Sequence, residues 1–65
     1  MKRTRFAVVQ VTENGRLAAF QILDRVAGRI SNIVEVTSQA LQDGSAKAKL
    51  AELLGMAAYL NLRAA

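Results

Sequence analysis

The stretch "TENGRLAAFQIL", residues 12–23, admits two readings, and the fold turns on which one holds. Asn14-Gly15 is the pair most favoured in a two-residue hairpin turn, where both central residues need positive φ. Yet "RLAAFQIL" consists largely of good helix formers.

As a hairpin, the turn pairs Glu13 with Arg16 and sets the register outward from there. Val11 then faces Ala18, Val9 faces Phe20, Ala7 faces Ile22, and Arg5 faces Asp24. Each of the two charged pairs joins opposite signs, as cross-strand neighbours should. One face carries Ala7, Val9, Val11, Ala18, Phe20 and Ile22, all apolar, and is the expected core face. The other is mixed: Phe6, Val8, Gln10, Thr12, Leu17, Ala19, Gln21 and Leu23.

The chain continues as "DRVAGRI", where Gly28 suits a second, longer turn. Pairing Asp24 with Ile30 sets Ile22 against Asn32, Phe20 against Val34 and Ala18 against Val36. Ile30, Val34 and Val36 join the core face, while Ser31, Glu35 and Thr37 go mostly to the other.

As a helix, Phe20, Leu23, Ala27, Ile30, Val34, Thr37 and Leu41 form a heptad seam. Three local facts count against it. Gly28 would sit mid-helix at a cost of about 1 kcal/mol relative to Ala. Ile30, Ile33, Val34, Val36 and Thr37 are a β-branched cluster better suited to strands. Asn14-Gly15 would serve no turn. The expected fold is therefore α+β: a three-stranded antiparallel β-meander near 4–12, 17–24 and 30–37, covered by one C-terminal α-helix near 46–62. The competing fold is an N-terminal strand followed by two or three helices.

Both readings agree after residue 44. "SQALQDGS" reads as a linker, with Ser45 as helix N-cap. Leu50, Leu53, Leu54, Ala57 and Leu60 form the stripe expected to cover the sheet. Tyr59 and Leu62 fall outside that stripe and are candidate partner-binding residues. On the sheet's second face, Phe6, Val8, Leu17 and Leu23 would be exposed in a monomer. They are the expected interface of a homodimer.

Composition narrows the chemistry. The chain has 65 residues, read as one domain over 1–65, and contains no Cys and no His. Disulfides are thereby excluded, and a transition-metal site is not expected. Small domains gain support from disulfides, metals or self-association, and self-association is the support left. Without His or Cys, the common acid–base and nucleophile arrangements are missing too. The glycines stand alone and form no phosphate loop. No catalytic residue, cofactor or small-molecule substrate is therefore expected. There is no apolar run of membrane-spanning length. "MKRTRFAVVQV" is basic then apolar, like the start of a signal peptide, but Gln10 interrupts it and no clean cleavage site follows. A cytoplasmic protein is expected, with no membrane partner.

Nine Lys and Arg against five Asp and Glu give a formal charge of +4. Such an excess suits an anionic partner. The candidate nucleic-acid contacts are Lys2, Arg3, Arg5 and Arg16. Aromatic stacking platforms are scarce, since Phe6, Phe20 and Tyr59 are the only aromatic residues.

In its strand–helix–helix reading the chain resembles a ribbon-helix-helix repressor, with "KRTRFAVVQV" as the ribbon and helices near 16–27 and 32–42. That family reads bases with polar strand side chains, and here one strand face is Ala7, Val9 and Val11. The helix after residue 45 also has no place in that pattern. In general style the meander-plus-helix reading is similar to small accessory proteins of phages and mobile elements. The expected function is a non-enzymatic regulatory or inhibitory protein that binds another protein as a homodimer. The alternative is a basic nucleic-acid-binding regulator.

Overall fold

A computed structural model describes residues 4–64. It contains strands β1 (Phe6–Glu13), β2 (Arg16–Asp24) and β3 (Arg29–Glu35), then helices α1 (Ser38–Asp43) and α2 (Ser45–Ala64). The strands form one antiparallel sheet in the order β1-β2-β3. The meander with a C-terminal helix is thus the observed fold, and the helical reading of 17–42 is excluded.

The Asn14-Gly15 turn has the geometry its sequence demands. Their φ angles are 52° and 75°, and Glu13 pairs with Arg16. One pair later, Thr12 faces Leu17, but Val11 then faces Ala19. Ala18 is an extra residue, a β-bulge, and it moves every later β1–β2 pair by one position. Val8 therefore lies opposite Ile22, and Gln10 opposite Phe20. Since Phe20 and Ile22 are the buried centre of the sheet, β1 turns Phe6 and Val8 inward. The expectation that Ala7, Val9 and Val11 face the core is corrected: a one-residue slip exchanges the two faces of a strand.

A second bulge does the same to β3. Asp24 pairs with Arg29, Leu23 with Ile30 and Ile22 with Ser31, but Phe20 pairs with Val34. Asn32 and Ile33 together oppose Gln21, and Asn32 takes the left-handed conformation at φ 54°. The expected Phe20–Val34 pair is present. Ile30, however, is carried to the face away from the helix rather than into the core.

The β2–β3 loop is built around Asp24. Its Oδ1 accepts the N–H of Val26 at 3.0 Å and of Ala27 at 3.1 Å, and Gly28 N–H reaches its carbonyl at 2.8 Å. Gly28 has φ 66°, a conformation costly for most residues. Beyond β3, the expected linker is partly helical. Thr37 Oγ1 caps α1 by accepting the Ala40 N–H at 3.1 Å. Asp43 Oδ1 accepts the Ser45 N–H at 2.8 Å, so Asp43 supplies the side-chain oxygen and Ser45 is already the first residue of α2.

The core is small: Phe20, Ile22, Ala46 and Leu53, with Phe6, Val8, Leu17, Val34, Val36, Ala40 and Leu50 packed around them. Complete burial of Ile22 contributes on the order of 2–3 kcal/mol. Along α2 the inward residues are Ala46, Leu50, Leu53, Ala57 and Leu60. Leu54, expected in that stripe, is 53% exposed. The inward stripe follows an alternating four-and-three spacing from Ala46, and Leu54 lies one position, about 100°, off it.

Candidate functional site

The two bulges give the sheet an apolar face that no element of the described chain covers. Alternation from the buried face places Ala7, Val9 and Val11 of β1 there, with Ala19 and Leu23 of β2. Ile30 and Ile33 of β3 join them, 51% and 64% exposed. Gln21 is the polar group near its centre and Glu35 lies at one margin. An antiparallel sheet in water ordinarily carries polar side chains on its free face. A contiguous apolar surface of this kind marks an interaction site.

A second opening lies between α2 and β3. The helix is drawn toward β1, where Asn61 bonds the Phe6 backbone with both ends of its amide. β3 is left without a roof, and Asn32, Glu52, Gly55, Met56, Tyr59 and Leu60 line an open groove of about 580 Å³. Tyr59 forms its wall, with the Arg63 guanidinium 5.8 Å from the ring centroid and donating to the phenolic oxygen at 3.2 Å. Leu62 stands outside this groove, 76% exposed. The two candidate partner-binding residues are both exposed, but only Tyr59 lines a concave surface. A smaller hollow of about 260 Å³ lies at the Asn14-Gly15 end between Arg16, Leu17, Val36 and Leu41.

The four residues assigned to a dimer interface are divided by the fold. Phe6, Val8 and Leu17 pack on the core cluster beneath α2. Leu23 lies on the open face. The expectation that all four share an exposed face is therefore corrected, and the cause is the bulge at Ala18. That bulge has no sequence signal, because "LAA" is compatible with unbroken strand. The second bulge does have one: Asn32 interrupts the β-branched run "ISNIV", and Asn is depleted in strands but tolerates the left-handed region.

The basic candidates are likewise separated. Lys2 and Arg3 lie outside the described residues. Arg5 and Arg16 sit at opposite ends of β1–β2, roughly 26 Å apart along the strand. Arg5 is committed to Asp24, with Nε to Oδ1 at 2.9 Å and Nη2 to Oδ2 at 3.0 Å. That fork, and the N–H groups of Ala27 and Val26, hold the Asp24 carboxyl down at about 2, and the same pair raises the Arg5 guanidinium. Arg16 donates to Ser38 Oγ at 3.1 Å. Arg25 donates to the Thr4 carbonyl at 2.8 Å, which leaves Arg29 beside it at the Arg5 end. The Asp43 carboxyl is lowered by the Ser45 backbone N–H and then by the Ser45 hydroxyl.

Among the described residues, no three of His, Cys, Asp and Glu gather where they could share a metal ion. No described helix is long and apolar enough to cross a membrane. No family model, curated protein or solved structure matches the chain.

Proposed function

We propose that this chain is a non-enzymatic, cytoplasmic regulatory or inhibitory protein that acts as a homodimer by binding another protein. The observation that carries this reading is the open sheet face of Ala7, Val9, Val11, Ala19, Leu23, Ile30 and Ile33. Ile30 and Ile33 are exposed and the other five half-buried, and the apolar area they leave to water has a standing drive to be covered, at roughly 25 cal/mol per Å². The groove walled by Tyr59 and Met56 adds a concave element of the kind in which interface anchors seat.

The test is affinity capture from native cytoplasm, with and without nuclease, using wild type beside Ile33→Asp and Val9→Asp. A specific partner should survive nuclease and high salt and be lost from both variants. Equal recovery with wild type and variants overturns the assignment to this face.

A second reading, nucleic-acid binding, draws on Arg5, Arg25 and Arg29, which the topology brings to one end of the sheet. Phosphate contacts make affinity fall steeply with salt, whereas apolar contacts respond little. Recovery of nuclease-sensitive material alone, lost on charge reversal of Arg3 and Arg5, favours this second reading.

A further inference from the structure

β1 is an edge strand, and most of its edge is unpaired. Phe6 turns its N–H and C=O away from β2, where Asn61 takes both. Alternation along the strand aims the backbone groups of Val8, Gln10 and Thr12 the same way. These three N–H and three C=O groups have no partner among the described residues. An apolar strand with a free edge is a template for another strand.

Above that edge, α2 presents a second apolar row. Ala51, Leu54, Ala58 and Leu62 are all exposed. Leu54, Ala58 and Asn61 follow an i, i+4, i+7 spacing, so they share one flank of the helix. Asn61 reaches the outer edge of β1, so this flank overhangs the same edge. Two unsatisfied surfaces of different chemistry, one hydrogen-bonding and one apolar, thus lie on one side of the molecule.

We propose that the occupant is a second copy of the chain. It is placed by a twofold axis beside Gln10, so that β1 pairs antiparallel with its copy and the Ala51–Leu54–Ala58 flank packs on its copy. The inference adds a surface to the homodimer reading above and needs nothing of the partner protein.

The geometry closes on itself. Centred on Gln10, Val8 pairs with Thr12 of the other copy, Gln10 with Gln10, and Thr12 with Val8. All six outward groups on each copy are then bonded. Phe6 falls opposite the Asn14 turn and keeps Asn61.

The helices agree independently. From Phe6 to Gln10 is roughly 13 Å of strand, or about nine residues of helix counted back from Asn61. The axis therefore passes α2 near residue 52 and sets Ala51 against Leu54 of the copy, small against large. Adjacent strands lie about 4.8 Å apart, and a helix seated just inside β1 puts the two axes about 10 Å apart, within packing range. Lys47 is the one charge on the flank, and the antiparallel arrangement sends the two copies of it to opposite ends. Edge and flank together present on the order of 500 Å² per copy, near the lower bound for specific interfaces.

The test is sedimentation of the full chain, alone, across micromolar concentrations. Wild type should be a dimer. Leu54→Glu and Gln10→Pro should each raise the dissociation constant at least about tenfold with unchanged circular dichroism. Ile33→Asp, on the open face at β3 and two strands away from the β1 edge, should leave the dimer intact. The chain has no cysteine. Leu54→Cys should therefore cross-link to its copy with a short bis-maleimide, while Ile33→Cys should not. A monomeric wild type, or a dimer lost through Ile33→Asp but kept in Leu54→Glu, overturns the proposal. Loss of partner capture with the dimer intact bears only on the open face.

Discussion

The side-chain amide of Asn61 is paired with the backbone of Phe6 as a neighbouring strand would be. Its Oδ1 accepts the Phe6 N–H at 2.7 Å, and its Nδ2 donates to the Phe6 carbonyl at 2.9 Å. The two residues are 55 positions apart in sequence, so this contact ties the last turns of α2 to the start of β1. It sets which way the helix leans, and hence why β3 lies open.

Replacing Asn61 tests that role. Asn61→Asp keeps an acceptor for the N–H but sets a carboxylate oxygen against the Phe6 carbonyl. Asn61→Ala leaves both backbone groups to solvent. Each should lower stability by about 1–3 kcal/mol, with Asp the worse of the two. Chemical denaturation checks this, and equal stability of Asn61→Ala and wild type would remove the clasp from the account.

Charged substitutions at adjacent positions of β1 distinguish its faces. Val8→Glu puts a carboxylate against Ile22 and should unfold the chain or cost several kcal/mol. Val9→Glu points to the open side and should change stability by less than about 1 kcal/mol. Thermal melts of the two variants decide the matter. The opposite order would mean that the bulge at Ala18 is absent.

Asn32 holds a conformation that β-branched residues avoid. Asn32→Val should destabilise by about 1–2 kcal/mol, and Asn32→Gly should be neutral or mildly stabilising. Their melting temperatures give the sign directly. A neutral Val would argue against left-handed backbone at this position.

The Arg5–Asp24 pair sets an acid limit. The hydrogen bonds from Arg5, then those from Ala27 and Val26, lower the Asp24 carboxyl from 3.8 to about 2. Because the folded value is depressed, its contribution is complete above the unfolded value and is lost as pH falls toward the folded one. Melting temperature against pH should show wild type above Asp24→Asn at about pH 5, with the gap closing between roughly 4 and 2. A gap that persists unchanged at the lowest pH would assign the stabilisation to something other than ionisation.

Much of this fold was legible in the chain because the deciding signals are local. Asn14-Gly15 can meet its positive φ angles from its own residue types, and the β-branched cluster after Gly28 disfavours helix wherever it is placed. The stripe on α2 is likewise a matter of spacing, correct at Leu50, Leu53, Ala57 and Leu60 and in error at Leu54. Which side of each strand meets the helix is different, because alternation leaves two arrangements. Both sides of β1 are apolar enough to be buried, with Phe6 and Val8 on one and Ala7, Val9 and Val11 on the other. Nothing in "LAA" marks Ala18 as an extra residue. The choice was made by packing: the bulge brings Phe6, Val8 and Leu17 onto Phe20 and Ile22 beneath Leu53, which buries the bulkier set. The smaller aliphatic set is left outside, and the candidate surface exists because α2 can cover only one of the two faces.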